Sequence, residues 1–211
     1  MQISDIKPQQ RNQNRVSVYL DGRYAFSLDY DTLRREGLHI GDTVTDELRE
    51  HLLQNDEYAR ARDYAYMLLS YRSRTEYELR TRLLKRGFRQ ENVREVLLFL
   101  KQGGLVDDRS FAEKWVDDMR ARRPMGRLRA ETELMKKRIR DDIIHDVCEK
   151  AYAENAETRL GREAAEKKLA ALRSYPEEAV KKKLFSFLQR RGFDFGVIHN
   201  LMKEFFCDDI G

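Results

Sequence analysis

Arginines crowd two short polar breaks in this chain. Arg72 and Arg74 flank Ser73, and Arg120, Arg122, Arg123, Arg127 and Arg129 gather around a second break some fifty residues later. A guanidinium is planar and permanently charged, so it grips phosphate oxygens in pairs where an ammonium offers only a point charge. Where such a break precedes a helix, the oriented N–H groups of the helix start add to the pull on an anion. Lys85, Arg86, Lys136, Lys137 and Arg138 stand nearby as outer support. The chemistry implied is contact with a polyanion. The plainer alternative is a set of solvated helix faces laced with i,i+4 ion pairs, as expected where 37% of residues are charged.

Tyr64, Tyr66, Tyr71, Tyr77 and Trp115 interleave with these cations, which is the composition of a base-stacking surface. Periodicity assigns Tyr64 and Trp115 to buried helix faces and leaves Tyr66 and Tyr77 as the better ligand contacts. No catalytic constellation is legible. His39, His51, His145 and His199 lack metal-ligand spacing, and the glycines form neither a Walker-type nor a dinucleotide-binding motif. Asp107-Asp108 and Asp141-Asp142 stand where helices should begin, so capping and dipole pairing explain them better than a metal does. Asp117-Asp118 and Asp208-Asp209 are adjacent pairs, and neighbours on a helix point about 100° apart. Cys148 and Cys207, the two cysteines, are expected to be reduced structural residues. Neither a cofactor nor a metal is expected.

A tandem repeat positions these residues. Val93, Val96, Leu97 and Leu100 recur as Ile144, Val147, Cys148 and Ala151, then as Ile198, Leu201, Met202 and Phe205, at offsets of 51 and 54 residues. Each set has the i, i+3, i+4, i+7 spacing of one buried helix face. Phe88, Ile139 and Phe193 precede the sets, and Leu79/Leu83, Ala130/Leu134 and Leu184/Leu188 precede those, in the same register. Recurrence at this period means stacked copies of one helical module.

In the first copy a helix is expected from Tyr58 to Tyr71, with Ala61, Tyr64, Ala65, Leu68 and Tyr71 on its apolar side. A capping box at Thr75-Glu76-Tyr77-Glu78 opens the second helix, which Gly87 closes in left-handed conformation. The third runs from Gln90 to Gln102. Phe111, Ala112, Trp115, Val116 and Met119 open the second copy. The third copy aligns with a one-residue shift, through Ala165, Leu169 and Leu172, and Pro176 is expected to start its second helix. Arg138 stands where the other copies have Gly87 and Gly192, so the second copy is expected to end that helix differently.

The first 45 residues differ in kind. Gln2–Ile6, Arg15–Leu20 and Tyr24–Leu28 read as strands, with Asp21-Gly22 as a two-residue hairpin turn. Asp29–Glu36 reads as a short helix closed by Gly37, and Thr45 or Asp46 as the cap of the long helical run beyond. An isolated hairpin is marginal in water, so it should pack on the first repeat. The predicted architecture is mainly α: three tandem three-helix repeats in an elongated curved array with an N-terminal β-hairpin or small sheet. Its divisions are 1–45, 46–108, 109–157 and 158–211.

Charge is unevenly laid out within the net +4. Residues 1–60 hold 8 basic and 11 acidic side chains, residues 61–140 hold 21 and 12, and residues 141–211 hold 12 and 14. The surplus is thus assigned to the first two repeats. No apolar stretch approaches the ~20 residues that span a bilayer. Asp5 and Lys7 occupy the place of a signal peptide's apolar core, so a cytoplasmic protein is expected.

The segment from Asp63 through Tyr71-Arg72-Ser73-Arg74-Thr75-Glu76-Tyr77-Glu78 to Gly87-Phe88 resembles the RecX regulatory proteins. So does Gly104-Leu105-Val106-Asp107-Asp108-Arg109-Ser110-Phe111-Ala112, with Trp115-Val116 after it. Val16-Ser17-Val18-Tyr19-Leu20-Asp21-Gly22 and the strand beyond it are similar to the N-terminal extension of longer members. The resemblance covers nearly the whole chain. It implies three three-helix repeats and a non-enzymatic modulator that binds the RecA recombinase filament on DNA, lying in its groove and restraining its ATPase, strand-exchange and coprotease activities. Expected partners are that filament and, weakly and without sequence preference, single- and double-stranded DNA, with the protein a monomer. From the residues alone, a helix-turn-helix-like transcription factor and a helical-repeat scaffold remain open. Sequence-selective duplex binding marks the first, and absence of DNA binding the second.

Overall fold

The computed structural model describes residues 1–10, 12–153 and 155–206. Cys207 and Asp208-Asp209 therefore lie outside the described residues. The chain divides into two compact units, one of Met1–Ser73 with Leu79–Leu105, the other of Arg74–Glu78 with Val106–Gly211.

The first unit opens with three antiparallel strands, β1 (Ile3–Pro8), β2 (Arg15–Leu20) and β3 (Arg23–Asp29), in the order β1-β2-β3. Asp21 and Gly22 both take positive φ, 48° and 82°, as the tight primed turn between β2 and β3 requires. Alternation works as the strand period demands: Val16, Val18, Leu20, Phe26 and Leu28 are buried together with Ile3, Leu33, Leu38, Val44 and Leu52. The last of these belongs to α2 (Asp46–Tyr71), a single 26-residue helix whose N-cap Thr45 accepts a hydrogen bond from the Leu48 N–H. Between sheet and α2 lies α1 (Tyr30–Arg35), capped by the Asp29 side chain and followed by Gly37 at φ 64°.

Asp56 ties the sheet to α2. Its carboxylate is 1% exposed and accepts hydrogen bonds from the Arg15 guanidinium at 3.3 Å, from Arg60 Nε at 2.9 Å and from the Asp29 N–H. A buried carboxylate is tolerable only when its oxygens are satisfied in this way. The hairpin thus packs on the first repeat, as its marginal stability alone requires.

Three further helix sets complete the repeats. α3 (Glu76–Lys85) and α4 (Gln90–Gln102) bury Leu79, Leu83, Val93, Val96, Leu97 and Leu100. In the second unit α5 (Asp108–Arg122), α6 (Arg127–Lys136) and α7 (Asp141–Ala151) bury Ala112, Val116, Ala130, Leu134, Ile144, Val147 and Cys148. There too, α8 (Ala156–Ala170), α9 (Glu177–Arg190) and α10 (Phe195–Phe206) bury Ala164, Ala165, Leu184, Leu188, Ile198 and Leu201. The expected apolar register is the observed one except at Tyr71, which ends α2 and is 76% exposed there. Leu172 is buried but lies beyond the end of α8, and Pro176 is the residue before α9 rather than its first. Asp107 caps α5 by accepting from the N–H groups of Arg109 and Ser110, whereas Asp141 and Asp142 sit inside the first turn of α7, where they complement the dipole without capping it.

One expectation is overturned. The second repeat ends its middle helix in the same turn as the others, because Arg138 adopts the left-handed conformation at φ 57°, beside Gly87 at 95° and Gly192 at 76°. The hydrogen bonds match as well. Arg138 N–H donates to Met135 O at 2.9 Å, as Gly87 does to Leu84 O at 3.0 Å and Gly192 to Gln189 O at 2.9 Å. A left-handed residue with a Cβ costs about 1–2 kcal/mol, and the Arg138 guanidinium stacks over the Tyr77 ring at 5.9 Å, which offsets part of that cost.

Candidate nucleic-acid interface

Within the second unit, the end of α5, the start of α6 and the end of α9 enclose an open groove of about 440 Å³. Trp115, Met119, Met125 and Phe187 give it an apolar floor, and Arg123, Arg129, Arg190 and Arg191 rim it, with Glu133 as the acidic residue among them.

Backbone contacts set this geometry. The Gly126 N–H donates to Arg191 O at 3.0 Å, and the Leu128 N–H donates to Gly192 O at 3.1 Å. A Cβ on Gly126 would lie 2.2 Å from Gly192 O, so only glycine lets the two segments approach this closely. Arg191 Nη1 donates to Pro124 O at 3.1 Å, and the buried Tyr152 hydroxyl donates to Met125 O at 3.2 Å. The loop that carries Arg123 is therefore held on both sides.

Glu157 completes the joint. It is 9% exposed, and one carboxylate oxygen accepts the N–H of Arg127 at 2.9 Å and that of Asp194 at 3.2 Å, at the starts of α6 and α10. Burial raises its pKa above the ordinary carboxylate value, against the lowering effect of those two N–H groups. The second unit repeats the device: Asp108 accepts the Glu76 N–H at 2.8 Å, and the Thr75 hydroxyl donates to Lys137 O at 3.3 Å. In the first unit Glu57 accepts from the Arg89 N–H. Each carboxylate stands near or at the start of its repeat's first helix, or on the helix corresponding to it, and neutralises helix-start N–H groups that the chain itself leaves open.

The rim is electrostatically crowded. The Arg191 guanidinium has its pKa lowered by burial first and then by Arg123 and Arg129 beside it. Arg129 pairs with Glu133 at 3.2 Å, and that carboxylate is shared with Lys136 at 3.1 Å. Among the described residues Arg122, Arg123 and Arg190 make no ion pair. With Glu133 the carboxylate among these groove-lining cations, the balance of charge favours an anion by simple Coulombic logic.

The twelve cations expected at the contact surface are dispersed more widely than their spacing suggested. Arg123 and Arg129 meet at the groove, and Arg122 is exposed beside it. Arg120 is turned elsewhere, stacked at 5.3 Å on Tyr152 and 3.7 Å from Asp117, in a separate cleft with Lys150. Arg127 is engaged with Glu131 at 2.7 Å. Lys137 is half-buried over Phe111 and near Glu78, while Arg138 lies over Tyr77. Arg72, Lys85 and Arg86 belong to the first unit, where all three are exposed and Arg86 stacks on Tyr64 at 5.5 Å. Arg74 is a correction: it is 8% exposed, because the chain leaving α2 turns it inward, and a buried guanidinium does not reach a phosphate backbone.

Trp115 packs half-buried against the second repeat's core, as periodicity assigns it, and also lines the groove. One assignment changes: Arg190 with Arg191 brings the third repeat into a cluster assigned from charge to the first two. The signal for this was present, since Arg190-Arg191-Gly192 repeats the Lys85-Arg86-Gly87 pattern. Cys148 is buried and free, and burial pushes its thiol up to about 11, as for a structural rather than a reactive cysteine.

Comparison with known proteins is decisive over the whole length. Residues 1–45 match the Regulatory protein RecX N-terminal domain. Residues 61–100, 107–147 and 156–202 match the first, second and third three-helix domains of RecX. The Regulatory protein RecX of Clostridium acetobutylicum is 30% identical over 98% of this chain and 97% of its own. The chain belongs to the RecX regulatory protein family. A second RecX relative, from Bacillus licheniformis, is 32% identical over 96% of this chain and 76% of its own. A solved structure described as regulatory protein RecX superposes with a TM-score of 0.75 at 26% identity, covering 96% of this chain and 98% of that one. A RecX-family chain belongs to a class of regulatory proteins.

Proposed function

We propose that this RecX-family chain is a non-enzymatic regulator that binds the RecA recombinase filament on DNA and lowers its ATPase, strand-exchange and coprotease activities. The observation that carries this reading is the match to all four RecX domains in order along one chain. The rim of Arg123, Arg129, Arg190 and Arg191 supports it by supplying fixed positive charge suited to DNA phosphates or to acidic filament surface. Arg122, Arg72, Lys85 and Arg86 are exposed and belong to the same proposed contact set. Arg120, Arg127, Lys136, Lys137 and Arg138 are engaged with neighbouring carboxylates or rings and stand as outer members of the proposed set.

The same reading has the protein act as a monomer in the cytoplasm, with no cofactor and no sequence preference on DNA. No described helix is long and apolar enough to cross a membrane. The test is ATP turnover by the cognate recombinase on single-stranded DNA, titrated with this protein. Turnover falls with increasing protein if the reading holds, and stays constant at saturating protein if it does not.

A further inference from the structure

The groove has more chemistry than an anion site needs. Trp115 and Phe187 present ring surface at its floor while three of the arginines above them lack a carboxylate partner of their own. Phosphate contact alone requires the arginines. Ring surface beneath them adds affinity only for a ligand that brings an aromatic plane together with negative charge, which is the composition of a nucleotide. The volume of about 440 Å³ lies in the range of small-ligand sites.

A second cleft of about 220 Å³ adjoins the first and shares Phe187 and Arg191 with it; Lys167 and Lys168 line its far side. The Phe187 ring stands at the boundary, with the Arg191 guanidinium at 5.1 Å and Lys168 Nζ at 5.6 Å. Because Phe187 and Arg191 line both clefts, the two adjoin as a track rather than as an isolated pocket.

We propose that this track seats single-stranded DNA, with one base against Trp115 and the flanking phosphates on Arg123, Arg129 and Arg190. The proposal rests on the reading of DNA as part of the regulator's target and assigns it a strand state and a site. Duplex DNA does not fit it, because paired and stacked bases are withheld from a ring at the bottom of a groove, whereas every base of a single strand offers its π-face. The sequence-independent preference follows from the same geometry, since stacking and phosphate contacts do not read base edges.

Trp115 is the chain's single tryptophan, so its emission reports on this groove directly. The experiment titrates the full-length chain at low salt with a short oligothymidylate and with an abasic oligonucleotide of equal length. Binding is followed by tryptophan fluorescence and by the anisotropy of the labelled strand. The expected result is saturable quenching by oligothymidylate, with the abasic strand bound about tenfold more weakly. Arg190→Ala is expected to remove about 0.7 from the log–log salt slope, the loss of one phosphate contact. Equal affinity for both strands, or binding by anisotropy with Trp115 emission unmoved, overturns the site; so does an absence of binding. Recombinase ATPase measured on the same preparation separates the two proposals. Inhibition with a silent Trp115 sinks the groove assignment alone, and quenching without inhibition sinks the functional reading alone.

Discussion

Glu157 is the most informative side chain to perturb, because its charge and its hydrogen bonds act in opposite directions. Its carboxylate is 9% exposed and serves two helix-start N–H groups, those of Arg127 and Asp194. Glu157→Ala strands both donors. Each buried donor left without an acceptor costs about 1–3 kcal/mol, and since both bonds are only partly buried the total expected is about 2–3 kcal/mol. Glu157→Gln keeps an acceptor oxygen in place and removes the charge that burial opposes, so it should match or exceed wild-type stability. The sign of the pH effect follows from the raised pKa. A folded-state value above the unfolded one contributes stability that is complete below the ordinary value of 4.5 and is lost as pH rises through the folded value. The advantage of the glutamine variant over wild type should therefore grow through that interval and level off above it. Urea unfolding at a series of pH values reads both effects. If the alanine and glutamine variants lose equal stability, or if the glutamine variant keeps the wild-type pH slope, the joint does not work as described.

Three further outcomes are expected. Leu97→Ala, at a position 2% exposed in the first unit, should cost about 2–5 kcal/mol, and an unchanged melting temperature would displace the buried stripe. Arg138→Gly should relieve the left-handed backbone, a gain of about 1–2 kcal/mol, and lose the Tyr77 contact, worth about 0.5–1 kcal/mol; calorimetry should find a net rise in Tm, and a fall contradicts the assignment of strain. Binding to single-stranded DNA should weaken steeply with salt, by about 0.7 in log–log slope per phosphate, and Arg122→Ala with Arg123→Ala should flatten it. An unflattened slope in that double variant, at wild-type circular dichroism, moves the contact elsewhere.

What sequence made legible was whatever repeats with the period of an element. The sets at Val93, Ile144 and Ile198 mark helix faces because a 3.6-residue turn imposes the spacing, and the turn at Asp21-Gly22 announces itself because few residue pairs accept two positive φ values. Arg138 shows the limit of that logic: the pattern demanded glycine, yet hydrogen bonds on either side of the turn and a ring under the guanidinium hold an arginine there. Charge was less legible than apolarity. Charge windows that cut across the repeat boundaries assigned the cationic surplus to the first two copies, whereas residues 158–211 themselves hold 11 basic and 8 acidic side chains and give the groove Arg190 and Arg191. Arg74 fails for the converse reason, since spacing on the chain does not say which way a residue at a helix exit turns. The joint carboxylates leave only a faint trace: Glu57, Asp108 and Glu157 recur at offsets of 51 and 49 residues, close to the apolar period. An acidic residue on a helix has so many ordinary roles that its recurrence alone does not mark a joint.

The direct test of the account is recombinase ATPase on single-stranded DNA, measured beside filament co-sedimentation, for wild type and for the Arg123→Ala, Arg190→Ala double variant. Neither guanidinium makes an ion pair among the described residues, so the variant should retain its fold and its melting temperature. The account predicts that wild-type protein co-sediments with the filament and suppresses turnover, while the double variant does both only at markedly higher concentration. A double variant that binds and inhibits like wild type would contradict it and place the regulatory surface away from the arginine-rimmed groove.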